Sequence, residues 1–327
     1  MQWKKAVSEF LNYIESQRGY SINTADSYER DLRQFAEVLK IAEDSDIVSI
    51  FTKGNIRKYV YFLKDDGQKA KSIARKRSTL LSFGKYMIKV GELFSNPVRL
   101  VSVPKLEKTI PVIITEPQMR ELAEDYEGEQ QEAQEAQNPT TIIRDELIVE
   151  LLYGSGIRVS ELHNLRRREI NWSNGTMRVM GKGRKERIVP LTDVAIKLLK
   201  EFLGENIRKD GFVFPRTAKS GRKESKNYDD LKGERATLHK DDISLLTVRR
   251  IRQIVTRELS KVSEAKKKSP HILRHSFASH LLDNGADIRV VKEMLGHSSL
   301  ASTQVYTHVG IEKMLKSYKQ AHPRSGE

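Results

Sequence analysis

The sequence contains no cysteine, and this absence excludes several structures and chemistries at once. Disulfide bonds, thiolate nucleophiles and zinc sites with cysteine ligands cannot form in this chain. Apolar runs are short, and none approaches the roughly 20 residues that a helix needs to cross a bilayer. The N-terminus, from Met1 to Lys5, also lacks the apolar core of a signal peptide. We therefore expect a cytoplasmic protein without membrane association.

Acidic residues are outnumbered, and the excess of positive charge points to a polyanionic partner. The 327 residues include 58 Lys and Arg against 44 Asp and Glu, which gives a net charge of +14 and a pI near 9.6. This balance favours nucleic acid as the partner. The excess is uneven, because residues 116–136 hold eight acids and one arginine. We expect that acidic segment to lie away from DNA.

Apolar residues in the N-terminal third recur at helical spacing and predict a small helical bundle. The predicted helices cover residues 6–14, 24–39, 56–63 and 72–90. Pro97, Pro104 and Pro111 then interrupt helical structure. The sequence thus predicts a helical domain over residues 1–100, an extended linker over 101–115 and a larger domain over 116–327.

The larger domain combines helices with one short β segment. Residues 177–180 and 187–190 predict two strands around the turn Gly181-Lys182-Gly183-Arg184. Helices are predicted over 116–125 and 142–153, and again from Thr247 to the end, the last around Ile311 to Tyr318. Residues 127–137 and 216–242 are polar, and they predict mobile surface insertions. The predicted fold class is mainly α with a small β-sheet.

Two cations near a predicted helix start form a candidate anion site. Ser269 and Pro270 are typical of an N-cap and a first helical residue, and they place His271 and Arg274 one turn apart. A helix N-terminus attracts anions, and an arginine binds phosphate oxygens through two hydrogen bonds. Taken alone, the pair is more often a surface feature. His275 follows His271 at metal-ligand spacing, but no carboxylate completes a metal site, so we predict no metal.

Tyr306 and Lys182 are the candidate reactive groups for attack on a phosphate. A phenol has a pKa of about 10 and requires neighbouring cations before it becomes a nucleophile at neutral pH. Tyr306 is one of 11 tyrosines, and a single tyrosine on an amphipathic helix more often packs in a core. Lys182 lies at a tight turn from which an ammonium can protonate a departing oxygen; a solvated turn is the alternative.

Basic residues crowd the start of the fourth predicted helix and suggest a contact with duplex DNA. The alternative is a solvated helix end, which the run alone does not exclude. The candidate DNA-binding residues are Lys69, Lys71, Arg75, Lys76, Arg77 and, on the predicted hairpin, Arg184.

An ordered set of residues resembles the tyrosine recombinase (integrase) family. The set consists of Arg158 after Gly154-Ser155-Gly156, then Lys182, His271-x-x-Arg274, Leu295-Gly296-His297 and Tyr306. Residues 10–39, Asn96-Pro97 and Pro104-Lys105 are similar to the Xer branch specifically. The two polar segments resemble those of stand-alone Xer proteins of the XerH type. The resemblance covers almost the whole chain.

The resemblance implies a fold, a site and an assembly. It implies a SAM-like core-binding domain and a catalytic domain that clamp DNA from opposite faces. Arg158 and Arg274 would stabilise the pentacoordinate phosphate. His271 and Lys182 would act in general acid/base roles, and His297 would assist phosphate contact or orient the site. Tyr306 would form a 3′-phosphotyrosine without metal, ATP or another cofactor. Four protomers would exchange strands through a Holliday junction, each docking its C-terminal helix on a neighbour.

The implied biological role is resolution of chromosome dimers at a dif-like site, with a DNA translocase such as FtsK as a candidate partner in the nucleoid. A phage or mobile-element integrase would use the same chemistry. A type IB topoisomerase would relax DNA without a specific site, and a repressor or architectural protein would bind DNA without cutting it.

Overall fold

The computed structural model describes residues 1–16, 22–104, 112–136, 140–181, 186–204, 210–214, 246–265, 268–296 and 308–325. The chain divides into two compact units, residues 1–109 and residues 110–327. The fold is mainly helical with one small antiparallel sheet, which confirms the predicted fold class. The segments 105–109 and 216–242, predicted as linker and insertion, lie outside the described residues.

Among its described residues, the first unit contains five helices and a short turn of 3-10 helix. The helices are α1 (Trp3–Ser16), α2 (Ile22–Leu39), α3 (Ile47–Ile50), α4 (Lys53–Asp65) and α5 (Ala70–Lys89), and the 3-10 turn covers Pro97–Leu100. Side chains that accept hydrogen bonds from backbone amides fix two of the helix starts. Asp46 accepts from Val48 before α3, and Thr52 accepts from Asn55 before α4.

An aromatic cluster forms the core of the first unit. The ring of Phe83 on α5 is fully buried and makes edge-on contacts with Trp3, Phe10 and Phe51 at centroid distances of 5.4, 5.4 and 5.3 Å. Pairs in this geometry contribute about 0.5–1.5 kcal/mol each beyond the burial of their area. The cluster therefore joins α1, α5 and the segment after α3 into one packed core.

The second unit contains eight helices among its described residues and a three-stranded sheet. The elements in chain order are α6 (Glu116–Ala136), α7 (Thr140–Gly154), α8 (Val159–His163), β1 (Ile170–Asn171), β2 (Thr176–Met180), β3 (Glu186–Pro190), α9 (Asp193–Leu203), α10 (Val248–Val262), α11 (Pro270–Asp283), α12 (Ile288–Leu295) and α13 (His308–Ala321). The strands are antiparallel in the order β1-β2-β3, with Met177 opposite Val189. The two predicted hairpin strands are confirmed, and β1 is an additional strand.

Helix α7 lies at the centre of the second unit. From Asp145 to Gly154 every residue is buried, and α7 packs against α6, α9, α10 and α11. A helix that is buried on all sides has no polar face, so its sequence does not show which side packs against which neighbour. Its C-terminal end leads directly into the turn that carries Arg158.

The interpretation of residues 127–137 as a mobile insertion is wrong, because α6 continues as a helix to Ala136. Met119, Leu122 and Tyr126 bury one face of α6 in the core. The polar continuation is rich in Glu, Gln and Ala, which have high helix propensity, so the helix, anchored by its first half, continues to Ala136.

Candidate active site

Arg158 stands at the N-cap of α8, after a turn that requires glycine. Gly156 has φ +60°, and a Cβ at this position would lie 2.4 Å from Cδ1 of Phe277. The Arg158 amide donates to Glu161 Oε2 at 2.7 Å, and its Nη1 donates to Glu161 Oε1 at 2.9 Å. The Arg158 side chain is still 35% exposed. The guanidinium is thus oriented by a carboxylate while it remains accessible to a ligand.

Glu161 and Arg187 form a buried ion pair behind Arg158. Nη1 and Nη2 of Arg187 each donate to a different Glu161 oxygen at 2.8 Å, and Nε donates to the Met294 carbonyl at 2.6 Å. Burial alone would raise the pKa of Glu161, but the hydrogen bonds and charges of Arg187 and Arg158 hold it below its usual value. The carboxylate therefore stays ionised and keeps Arg158 in place.

The sequence interpretation did not include Glu161 or Arg187. The Glu three residues after Arg158 matches the spacing of a capping box, which is a weak signal that it accepts from the N-cap amide. Arg187 occupies a buried position on β3, where an unpaired charge would be costly. A buried charge predicts a partner, but only the fold identifies which one.

Arg274 on α11 joins this group from a separate element. Its Nη1 donates to the Gly156 carbonyl and its Nη2 to the Leu295 carbonyl. Burial, followed by the nearby positive charge of Arg158, lowers the pKa of Arg274 to about 10. The structure therefore brings Arg158 and Arg274, which are far apart in the sequence, to the same turn.

Two arginines also fix the end of α12. Arg187 binds the Met294 carbonyl, and Arg274 binds the Leu295 carbonyl. Both carbonyls belong to the negative end of the helix dipole, where cations are stabilising. Gly296 ends the helix in a left-handed conformation with φ +63°, and a Cβ there would approach Arg187 Cδ to 3.2 Å.

His271 is exposed in the first turn of α11, as its position after Ser269 and Pro270 predicts. Ser269 has the extended backbone of an N-cap, but its side chain makes no capping hydrogen bond. Partial burial lowers the pKa of His271 below its usual value, and His275 and nearby arginines add to this effect. The lowered pKa favours the neutral imidazole, which is the form that accepts a proton.

Four predicted site residues, Lys182, Arg184, His297 and Tyr306, lie outside the described residues. Their roles stay predictions. Among the residues that the structure does describe, no group of three carboxylate or histidine side chains is arranged to hold a metal ion. Within the same ranges, no helix has both the length and the apolar character of a membrane span.

The predicted DNA-binding residues of the first unit differ in their surroundings. Lys69 and Lys71 are exposed at the start of α5. Arg75 pairs with Asp31, Lys76 donates to Gln34, and Arg77 donates to the carbonyls of Val98 and Val101. Lys76 and Arg77 thus have contacts within the unit, whereas Lys69 and Lys71 face solvent.

Two family profiles match the chain and together cover most of it. The profile described as "Phage integrase family" matches residues 126–313, and the one described as "Phage integrase, N-terminal SAM-like domain" matches residues 7–91. These ranges fall in the second and the first compact unit, respectively.

Relatives match over nearly their full length. A tyrosine recombinase XerC from Chlorobaculum parvum is 35% identical over 97% of this chain and 94% of its own. A tyrosine recombinase XerD from Staphylococcus saprophyticus is 35% identical, with 98% and 99% covered. The Tn1549 transposon integrase shares the fold with a TM-score of 0.64 at 17% identity, covering 97% of this chain and 95% of the other. A lambda integrase chain has a TM-score of 0.60 at 19% identity, with 93% and 100% covered. The chain therefore belongs to the tyrosine recombinase family, of the XerC/XerD-like type, and is an enzyme that breaks and rejoins DNA.

Proposed function

We propose that this site-specific recombinase cuts DNA with Tyr306 and forms a 3′-phosphotyrosine intermediate. The observation that supports the site is the meeting of Arg158 and Arg274 at the turn around Gly156. Two guanidiniums held by fixed hydrogen bonds stabilise the charge that develops on a phosphate under attack, without reorganisation during the reaction. The phosphotyrosine bond keeps the energy of the broken phosphodiester, so the DNA strand is rejoined without ATP.

In this proposal the remaining polar residues move protons and orient the phosphate. His271, whose lowered pKa favours the neutral imidazole, accepts the proton of Tyr306 as it attacks. Lys182 donates a proton to the departing 5′ oxygen, and His297 orients the phosphate. Arg158 and Arg274 are the electrostatic stabilisers. No step in this scheme requires a metal ion or another cofactor.

The proposed substrate is double-stranded DNA with a dif-like site, and the proposed process is resolution of chromosome dimers in the cytoplasm. The similarity to proteins named XerC and XerD supports this role over integration of a mobile element. Four protomers bind the two sites and pass through a Holliday junction, and a DNA translocase such as FtsK is the candidate activating partner. Lys69, Lys71 and Arg184 are proposed phosphate contacts.

We further propose that the C-terminal segment is exchanged between protomers in the tetramer. In the single chain, the Tyr318 hydroxyl on α13 donates to the Gly154 carbonyl at 2.6 Å, and Arg324 pairs with the buried Glu150. These contacts define a complete binding site for the segment on the second unit. The same contacts between neighbouring chains would connect each protomer to the active-site turn of the next.

The test of this function is covalent trapping on DNA that is nicked near the cleavage site. Wild-type protein is expected to form a covalent adduct with a nicked dif-like duplex, whereas Tyr306→Phe binds the same duplex without an adduct. Tyr61→Phe is the matched control, because Tyr61 is 61% exposed in the other unit and should react normally. An adduct in the Tyr306→Phe protein would contradict the assignment of the nucleophile.

A library of nicked duplexes distinguishes the two biological roles. Sequencing of the DNA that becomes attached to wild-type protein is expected to recover a short, nearly palindromic chromosomal site. Recovery of an attachment site at the end of a mobile element would instead assign the chain to integration.

A further inference from the structure

One face of helix α5 is a stripe of basic residues and serines that contains no acidic residue. The 20 residues of the helix include six Lys or Arg and no Asp or Glu. The members of the stripe recur at intervals of three and four residues, so they share one face of the helix. Each is exposed or partly exposed, and they are Lys71, Arg75, Ser78, Ser82, Lys85 and Lys89. Small serines between long cations let the helix approach a DNA groove closely.

Arg75 is the one member of this stripe that a buried carboxylate holds in a fixed orientation. Its Nη2 donates to Asp31 Oδ1 at 2.7 Å, its Nη1 donates to Asp31 Oδ2, and Nη1 also donates to Ser27 Oγ at 3.0 Å. The Asp31 side chain is only 4% exposed and also accepts from Thr79 Oγ1 at 2.7 Å. The carboxylate is thus fixed between α2 and α5, and the Arg75 guanidinium is fixed by it.

One edge of the Arg75 guanidinium has no partner among the described residues. Asp31 and Ser27 bind the Nη1 and Nη2 end, which leaves Nε and the second hydrogen of Nη2 as two parallel donors. The Arg75 side chain is 50% exposed, although it belongs to a fixed network. Two parallel arginine donors match the O6 and N7 acceptors of guanine in the major groove.

The other cations of α5 do not combine a carboxylate-fixed orientation with two free parallel donors. Lys76 and Arg77 donate to groups of their own unit, and a lysine such as Lys85 carries a point charge without paired donors. A lysine donates to any phosphate, whereas a fixed pair of guanidinium donors also matches the paired acceptors of guanine. Because Arg75 is oriented before DNA arrives, it loses little side-chain entropy on binding.

We propose that Arg75 is a specificity-determining residue that reads a guanine in the major groove, with Asp31 and Ser27 as its positioning residues. The inference rests on the proposed DNA-binding function of the first unit and adds to it the identity of one base. Lys71 and Lys85 contact phosphates on either side and contribute no sequence preference.

The experiment begins with selection of binding sites from a random duplex library by the full-length protein. The wild-type site is expected to contain a guanine whose preference disappears with Arg75→Lys, while preferences at the other positions remain. Replacing that guanine by 7-deazaguanine removes its N7 acceptor and should weaken wild-type binding by about tenfold. The same replacement should leave the binding of Arg75→Lys unchanged.

Two further variants separate base reading from phosphate binding and from folding. Asp31→Asn keeps the charge of Arg75 but removes its ionic anchor, so it should relax the preference at the same guanine. Lys85→Gln is the matched control on the stripe. It should weaken binding to all sequences alike and reduce the slope of log K against log salt by about one. Thermal unfolding of each variant identifies any loss of fold, and the 7-deazaguanine comparison needs only wild-type protein.

Two outcomes would overturn the inference. Arg75→Lys with unchanged sequence preference, or wild-type binding insensitive to 7-deazaguanine at every guanine, would make Arg75 a phosphate contact. Failure of the proposed function is distinguishable, because it would appear as a wild-type protein that selects no sequence and forms no covalent adduct. A protein that selects and cleaves a site without a guanine contact through Arg75 overturns this inference alone.

Discussion

At the scale of single residues, Glu161 is the group on which the candidate site depends. One carboxylate accepts from the Arg158 amide, the Arg158 guanidinium and the Arg187 guanidinium. A buried ion pair is favourable only when its geometry and hydrogen bonds offset the loss of hydration. Arg187 donates hydrogen bonds to the Glu161 carboxylate and to the Met294 carbonyl, so this ion pair meets that condition. In the proposed mechanism Glu161 is a positioning residue, since it would act on the phosphate through Arg158.

Replacing Glu161 by Gln tests this role, because the variant keeps the side-chain shape and removes the charge. We expect the rate constant for DNA cleavage to fall by at least tenfold, while the dissociation constant for DNA changes little. The unfolding free energy should fall by about 3 kcal/mol, because Arg187 is left as a buried charge without its counterion. Single-turnover cleavage, DNA titration and denaturant unfolding measure the three quantities.

Glu169→Gln is the control for this variant. Glu169 pairs with the half-exposed Arg178, and a pair near the surface contributes about 0–1 kcal/mol. Cleavage by Glu169→Gln should match wild type. Equal cleavage by Glu161→Gln and wild type would show that the orientation of Arg158 does not depend on the carboxylate.

The sequence predicted part of this site and missed the rest for a physical reason. Arg158, His271 and Arg274 were selected because their order and residue types suit a phosphate. Glu161 and Arg187 were not selected, because an acid on a short helix and an arginine on a strand look like ordinary surface charges. Their pairing depends on the approach of β3 to α8, which no local pattern encodes.

At the scale of elements, the residue after α13, His322, packs against α7, with its ring centroid 5.3 Å from that of Tyr153. The His322 ring stacks on Tyr318 at a centroid distance of 4.9 Å, and its Nδ1 accepts from the Arg324 amide at 3.2 Å. Burial lowers the pKa of His322 to about 3. The folded protein therefore requires the neutral imidazole.

This contact predicts a pH dependence of stability with a definite sign. The unfolded chain binds a proton at His322 near the ordinary pKa of about 6.5, whereas the folded chain does not until about 3. The stabilisation is complete above the unfolded pKa and is lost as pH falls from about 6.5 toward 3. Between about pH 7 and pH 5, wild type should lose roughly 2 kcal/mol more than His322→Phe.

Denaturant unfolding of both proteins across that range measures the difference. The Phe variant keeps an aromatic ring beside Tyr318 but does not titrate. Parallel pH profiles for wild type and His322→Phe would contradict burial of a neutral His322.

The α6 helix shows a limit of prediction at this scale. Its acidic half was interpreted as a mobile insertion because apolar residues are absent, yet the helix extends to Ala136. Helix propensity and an anchored first half outweigh the missing apolar face. The strongly periodic helices of the first unit were predicted well, because an amphipathic stripe depends only on local spacing.

At the scale of the whole molecule, the chain forms two separate cores. One consists of residues between Trp3 and Val101, and the other of residues between Ile114 and Ala321. Phe83 is at the centre of the first core, and its ring contacts with Trp3, Phe10 and Phe51 all lie within that unit. Each unit therefore has its own source of stability.

Phe83→Ala tests this division. The cavity should lower the unfolding free energy of the first unit by about 3–5 kcal/mol. Hydrogen exchange is expected to speed up for amides of residues 1–109, while residues 110–327 keep their protection. Leu199→Ala, at a fully buried position of the second core, is the reciprocal control with the opposite pattern. Equal loss of protection in both units after Phe83→Ala would show that the two cores unfold together.

The sequence alone predicted the chemistry of this chain, because the residue types and their order carry the resemblance to a tyrosine recombinase. It also determined the helical first unit and the β-hairpin, whose apolar periodicities are local. Only the tertiary structure decided that Arg274 reaches the turn of Arg158, that Glu161 pairs with Arg187, and that Asp31 fixes Arg75. These contacts join segments that are distant along the chain. Two buried charges pair only when packing removes both side chains from water.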